Sequence, residues 1–461
     1  MCAYIGPASK GLMSMEESSL TQKTSRLGGM FRALQYRNYR LFFMGQGVSL
    51  IGTWMQQIAM SWLVYRLTDS VFFLGMVSFA NQIPSFLLAP FAGVISDRFN
   101  RHRVLLFTQF LLLLQAGTLA ALVLTHTVTV PYIMALGVFA GVVNAFDMSA
   151  RQSFVVQLVE KREDLSNAIA LNSSMFNMAR LVGPSVAGAI IATVGEGLCF
   201  LLNALSYFAV LASLLLMRLP RQERQKQDTQ VLKSLGEGFT YAFGFAPIRD
   251  LLLLIATLSL FGMPFTVLMP VFARDVLGGD AGTLGLLMGA SGVGALLGAL
   301  YLASRKSVLG LGRVIVVASV LFGLGLMAFA LSQTMVFSLL GIFVAGLGMI
   351  LRMASTNTLL QTIVDDDKRG RVMSFYSMAF MGMAPIGSLL AGWVAEQVGV
   401  TYTLLGCGFI CLLSIIPFVL NLPHTRPLVV PIYQRLGILP EIAQGLQTAS
   451  TLSSPPEGGK M

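Results

Sequence analysis

The sequence predicts an all-α membrane protein with twelve transmembrane helices in two pseudo-symmetric six-helix bundles. Three observations predict it: too few charges for a water-facing surface, twelve apolar stretches of spanning length, and a repeat between the two halves. Of 461 residues, 55% are hydrophobic and only 11% charged, with a mean hydropathy of +0.74. A soluble domain carries about 25% charged residues, so lipid must be the solvent for most of this surface. A helix of about 20 apolar residues crosses a bilayer, and backbone polar groups cannot be left unpaired in hydrocarbon. Long apolar runs here are therefore helices, and the short alternating segments of an outer-membrane barrel are absent.

The first six spans are placed near 38–65, 72–96, 103–125, 131–156, 166–193 and 198–218. The second six are placed near 248–273, 283–303, 313–331, 335–360, 371–396 and 401–421. Around them the sequence divides into a polar, Ser-rich tail over 1–30, a first bundle over 31–218, a linker over 219–247, a second bundle over 248–421 and a tail over 422–461. The first tail lacks the charged-then-apolar pattern of a cleaved signal peptide and reads as a disordered cytoplasmic segment. The linker carries RQERQKQDTQ and is the long hydrophilic interior stretch. In the second tail, Ile432–Leu446 has an amphipathic pattern that suits the membrane surface.

Lysine and arginine set the orientation. All but four of the 31 fall in or beside the tails and the loops after spans 2, 4, 6, 8 and 10. Arg66 and Arg274 lie on the other side, and Arg180 and Arg352 lie within spans. Both termini are expected in the cytoplasm. The formal net charge of +10 follows from this bias, so membrane lipid headgroups are the expected anionic partners and nucleic acid is not. The cysteines are Cys2, Cys199, Cys407 and Cys411. The last two are four apart on an apolar span, but with no further ligand nearby they read as small core hydrophobes. No metal or cofactor is expected.

The halves repeat. A gap-free shift of 204 aligns Gly137 with Gly341, Gln157 with Gln361, Gly183 with Gly387, and Val194-Gly195 with Val398-Gly399. Small residues dominate these matches, as expected where transmembrane helices approach closely. Paired bundles suit alternating access with a substrate site between them.

The loop after span 2 reads Gly93-Val-Ile-Ser-Asp97-Arg98-Phe-Asn-Arg101-His-Arg103. It resembles the signature of the major facilitator superfamily, with Gly93, Asp97, Arg98 and Arg101 matching and Asn100 in place of a second glycine. The resemblance implies a cytoplasmic latch in which Asp97 faces a helix N-terminus; ordinary positive-inside charge would explain the arginines alone. The counterpart loop, Ser304-Arg305-Lys306 through Arg313, has no acid. Span 5 contains Ala179-Arg180-Leu-Val-Gly183-Pro184-Ser-Val-Ala187-Gly188, similar to the exporter signature of that superfamily. Gly183, Pro184 and Gly188 would then form a bent, tightly covered helix that seals against proton leak; a generic kinked packing helix is the alternative. The run from Asn144 through Arg180 resembles the branch holding the enterobactin exporter and the macrolide-efflux proteins. That resemblance implies proton-driven export of an amphipathic small molecule across the bacterial cytoplasmic membrane, and the resemblance to the superfamily implies a monomer.

Ionisable groups inside spans default to functional candidates. Asp147 and Arg151 in span 4 and Arg180 in span 5 are the proton-coupling candidates, with Asp147 as the proton site and an arginine tuning it. A permanent structural ion pair is the other reading. The substrate-cavity candidates are Gln46, Gln56 and Gln57 of span 1, Asn177 of span 5 and Arg352 of span 10; the glutamines read equally as interhelical glue. The two arginines favour an anionic or phenolic ligand over a lipophilic cation. Uptake by symport of a nutrient or lysolipid, and a non-transporting receptor or scaffold, remain as other classes. An enzyme is not expected, because His102, His126 and His424 lie in or near loops, and no phosphate-binding loop of an ATP-driven pump occurs.

Overall fold

A computed structural model describes residues 31–219, 239–305, 307–365 and 368–438, without the side chains at 90, 94, 96–98 and 162. The first tail, most of the linker and the chain beyond 438 lie outside the described residues. The helices are α1 (Arg37–Thr68), α2 (Val71–Arg98), α3 (Arg101–Leu124), α4 (Val130–Gln157), α5 (Leu165–Val194) and α6 (Glu196–Leu215). They continue as α7 (Ala246–Val276), α8 (Ala281–Ser304), α9 (Leu311–Leu331), α10 (Met335–Ile363), α11 (Arg369–Val398) and α12 (Val400–Arg435). Among the described residues eleven helices are long and apolar enough to cross a membrane. The twelfth, α1, has 32 residues but carries polar groups through its length. Large apolar side chains such as Met44, Phe107, Phe208 and Leu331 are more than half exposed, as a surface solvated by lipid requires. The chain is an all-helical, multi-pass membrane protein.

Each of these twelve helices falls on a predicted span, residues 239–244 of the expected linker are helical as well, and the largest boundary difference is at the end. α12 runs on to Arg435 despite Pro423, Pro427 and Pro431, so part of the segment read as a tail is helical. Those prolines repeat every four residues and therefore share one face, which confines the missing N–H groups to one side of the helix. Ile432–Arg435 of the amphipathic stretch belongs to this helix, and its remainder lies largely outside the described residues.

The described parts of Met1–Met60 and Leu87–Lys226 form one compact unit, and those of Ser61–Phe86 and Gln227–Met461 form a second. The division is not at the linker alone, because the end of α1 and the first half of α2 group with α7–α12. In the first unit α3 packs along α4 and α6, and α5 along α6. The segment before α1 is strapped to the start of α5: Ala33 N–H donates to Asn167 Oδ1 at 2.9 Å, and the Tyr36 hydroxyl to Asp164 at 2.7 Å. That bond to a carboxylate holds the Tyr36 phenol above its ordinary pKa.

In the second unit α9 packs along α10 and α12, α8 along α10, and α11 along α12 and α7. The α3–α4, α3–α6 and α5–α6 pairings of the first unit thus recur six helices later. The aligned glycines serve the same purpose in both. A side chain at Gly183 would strike Trp54 and the Ile51 carbonyl of α1, and one at Gly387 would strike the Leu260 carbonyl of α7. Gly195, between α5 and α6, has φ +95°, and Gly399, between α11 and α12, has φ +89°. Only glycine enters that region without strain, so both one-residue turns depend on it.

α7 departs from a regular helix. Leu258–Gly262 and Phe272–Val276 are π-helical turns, a distortion that concentrates at functional sites. The first takes the close approach of Gly387, and the Ser259 hydroxyl donates to the Phe380 carbonyl of α11.

Candidate functional site

Asp147 is fully buried in the first unit. It lies one turn before Arg151 on α4, so the two side chains share a face, and Arg151 Nη2 donates to Asp147 Oδ2. The other oxygen, Oδ1, accepts from Thr108 Oγ1 at 2.8 Å and Gln109 Nε2 at 2.7 Å, both on α3. Three donors, one of them a guanidinium, are the complement of an ionised carboxylate. Two atoms of the network remain unpaired although buried: Gln109 Oε1 and Arg151 Nε. Arg180 is not among the partners of Asp147. Its guanidinium lies over the Trp54 ring of α1, 5.9 Å from the centroid, while Trp54 meets Phe176 edge-on at 5.7 Å. Of the two arginines expected beside Asp147, the structure brings only Arg151 to it.

The substrate-cavity candidates separate into two kinds. Gln56 is interhelical: Asn203 of α6 donates to Gln56 Oε1 at 2.7 Å, and Gln56 Nε2 donates to Gln115 of α3 at 3.2 Å. Gln46 is buried on α1. Gln57 is exposed, one turn from Trp54, and Asn177 is half-buried next to Phe176 in the chain, its amide donating to the Ser173 carbonyl of its own helix at 2.9 Å. Arg180 and Phe176 of α5 thus both meet Trp54 of α1, and Gln57 and Asn177 lie within one turn of these residues on the same two helices. Arg352 lies elsewhere, fully buried in the second unit. Its Nη2 donates to the Leu254 carbonyl at 2.6 Å and to Ser414 Oγ at 3.4 Å, while Nε and Nη1 have no partner.

The latch is only partly visible. Gly93 sits near Ser149 of α4, and the side chains of Asp97 and Arg98 lie outside the described residues. Asn100, which stands at the second glycine position, caps α3 by accepting from Arg103 N–H at 3.2 Å. Arg101 is the first residue of that helix. In α5, Pro184 and Gly188 are buried and the helix continues through them. Cys199, Cys407 and Cys411 are buried free thiols, and no metal-ligand cluster occurs among the described residues.

Sequence reasoning missed a polar clasp in the second unit. Arg274 Nη1 donates to Asp69 at 2.7 Å, and the Tyr65 hydroxyl donates to Asp275. Glu396 Oε2 of α11 accepts the first two N–H groups of α2, from Val71 at 2.7 Å and Phe72 at 3.1 Å. The second π-helical turn of α7 presents both Arg274 and Asp275 to the α1–α2 turn. An open cavity of about 490 Å³ adjoins them, lined by Tyr65, Asp69, Asp275, Glu396 and Tyr402 among others. The only sequence signal is Arg274 itself, one of two basic residues at that end.

Comparison with known proteins agrees with this architecture. The chain is 27% identical to the staphyloferrin A transporter of Staphylococcus aureus, covering 82% of this chain and 96% of that protein. It is 25% identical to the multidrug efflux pump Tap of Mycolicibacterium fortuitum (78% and 88%) and 24% identical to macrolide efflux protein A of Streptococcus pyogenes (84% and 97%). Among solved structures, a bacterial homologue of the iron transporter ferroportin in an inward-facing state matches with TM-score 0.63 at 20% identity, covering 83% of this chain and 98% of that one. A bacterial homologue of the human lysosomal transporter Spinster matches with TM-score 0.63 at 14% identity (82% and 95%). These likenesses establish the fold. The family model described as transmembrane secretion effector matches residues 29–430, and the chain belongs to that family, within the major facilitator superfamily.

Proposed function

We propose that this transporter is a proton-coupled antiporter that exports an amphipathic small molecule, siderophore-like or drug-like, by alternating access. The observation that carries the reading is the buried Asp147 network. A carboxylate in a spanning segment is costly to keep charged and costly to leave unpaired, so its charge is coupled to the arrangement of the helices around it. In the described arrangement Thr108, Gln109 and Arg151 all donate to Asp147. Turning the Gln109 amide over presents Oε1, the unpaired acceptor, to a protonated Asp147. The network therefore has a partner for each protonation state, and helix movement that separates Arg151 from Asp147 is the proposed link between proton exchange and alternating access.

Trp54, Phe176 and Arg180 supply the ligand patch, with the amides of Gln57 and Asn177 as hydrogen-bonding groups. Aromatic faces with one cation suit a flat, anionic or phenolic ligand. The relatives named for a siderophore and for macrolides support a siderophore-like or drug-like amphipathic ligand. The two six-helix halves, 31–218 and 248–421, move about the linker with both termini in the cytoplasm, and the protein works as a monomer. The latch of Gly93, Asp97, Arg98 and Arg101 holds the cytoplasmic side, and the Gly183-Pro184 helix with Gly188 seals it against protons.

The test is accumulation of a labelled catecholate siderophore and a labelled macrolide in an efflux-deficient bacterium expressing the chain, with and without a protonophore. Lower accumulation that the protonophore reverses is the expected result. Higher accumulation in expressing cells would replace export by uptake.

A further inference from the structure

The surface of the second unit carries a groove apart from the residues to which transport is assigned above. α8 and α9 each pack along α10 through glycines with no room for a side chain. Gly294 and Gly298 of α8 lie against the α10 backbone at Phe343 and Leu347, and Gly348 of α10 lies against Ala318 and Phe322 of α9. The two helices approach α10 from different sides and leave a groove of about 370 Å³ between them. Leu347 and Leu351, one turn apart on α10, line its floor; Tyr301 of α8 and Val314 and Val317 of α9 line its walls. Val317 is 58% exposed, and Leu300 and Leu324 on the same two helices are similarly open. In a membrane protein, a groove on so apolar an outer surface faces acyl chains.

One end of the groove is basic. Arg313, in the first turn of α9, lines it, is exposed, and has no hydrogen-bond or ion-pair partner for its guanidinium among the described residues. Arg305 lies at the same end: its Nη1 donates to the Tyr301 hydroxyl at 3.3 Å, its Nη2 to the Leu309 carbonyl at 2.7 Å, and its Nε is buried without a partner. No Asp or Glu occurs from Ala281 to Val364, so none of the three helices offers a counter-charge. In the corresponding loop of the first half, Asp97 stands among the arginines; the α8–α9 loop has no acid of its own.

We propose that this groove binds one anionic phospholipid, an acyl chain along Leu347 and Leu351 and the headgroup phosphate at Arg313 and Arg305. A zwitterionic lipid brings an ammonium that finds no carboxylate here, so the site selects net negative charge. The bound phosphate supplies the α8–α9 loop with the anion that its sequence lacks.

The experiment is native mass spectrometry of the purified full chain with equimolar phosphatidylglycerol and phosphatidylcholine of identical acyl chains. The wild type is expected to retain one phosphatidylglycerol in preference to phosphatidylcholine. Arg313→Gln should weaken that retention about fivefold, the loss of one basic contact at a headgroup. Val317→Trp, which fills the groove at a lipid-exposed position and leaves the charges alone, should also lose the adduct. Arg435→Gln, an exposed basic residue at the end of α12, should change nothing. Equal retention of the two lipids by the wild type would overturn the proposal. So would loss with Arg313→Gln but not with Val317→Trp, since that pattern is loop charge without a chain in the groove.

Discussion

Asp147 and Arg151 form a buried ion pair one helical turn apart, and the carboxylate's other oxygen is held from α3 by Thr108 and Gln109. Removing one member strands the other. Arg151→Ala leaves a buried carboxylate without its cation and should destabilise the protein by about 3 kcal/mol. The double variant Asp147→Asn with Arg151→Gln removes both charges and should be less destabilised than Arg151→Ala. Thermal unfolding in detergent measures this. A double variant that is the less stable of the two would mean the pair's net contribution exceeds its desolvation.

The guanidinium of Arg180 above Trp54 defines the ligand patch. Arg180→Lys keeps a charge but loses the planar face, and Trp54→Leu loses the ring. Each should raise the KM of export for an anionic aromatic ligand by about two- to fivefold, the magnitude of one cation–π contact, with little change for an uncharged ligand. Equal effects on both ligands would place these residues in packing rather than recognition.

Glu396 caps α2 from α11, accepting the N–H groups of Val71 and Phe72. Glu396→Ala should cost about 1 kcal/mol, as loss of a helix cap does. It should also loosen the clasp made with Asp69, Arg274, Tyr65 and Asp275. The readout is the maleimide labelling rate of Ala395→Cys, a buried position lining the adjoining cavity. Labelling should be faster when Glu396 is replaced; an unchanged rate would mean that the cap does not hold this end closed.

Gly195→Ala and Gly399→Ala test the structural repeat. At neither glycine does any neighbouring atom lie within 4 Å of where an added methyl would sit, so crowding is not at issue. The backbone conformation is nearly exclusive to glycine, and each substitution should cost about 1–3 kcal/mol, visible as a lowered Tm. Gly183→Val should act differently, by pushing α1 away at Trp54 and lowering transport as well as stability.

The spans are legible in the sequence because lipid demands them: composition fixes a helix wherever about 20 apolar residues run together. The Asp147–Arg151 pair is legible because both members sit on one helix, where spacing alone determines proximity. Thr108 and Gln109 are not, since finding them requires the rotation of α3 about its own axis. Counting residues back from the turn between α4 and α5 puts Arg180 about 6 Å from Asp147 in depth, within side-chain reach, but depth gives height and not direction, and the side chain meets Trp54 of α1 instead. The clasp is out of reach for another reason. Its bonds join residues 205, 210 and 325 apart in the chain, and α7 brings two of its members together through a π-helical turn that no apolar periodicity announces. The extension of α12 past 421 is hidden by prolines, which end a helix by local rule but are tolerated when they share one face.

The central claim is that Asp147 takes up and releases the coupled proton. Inverted membrane vesicles, acidified inside by respiration and carrying a fluorescent pH probe, test it most directly. Adding the exported ligand should dissipate the gradient with the wild-type chain. Asp147→Asn should bind the same ligand without any dissipation. Dissipation by Asp147→Asn equal to that of the wild type would contradict the claim and leave Asp147 as a structural ion-pair partner.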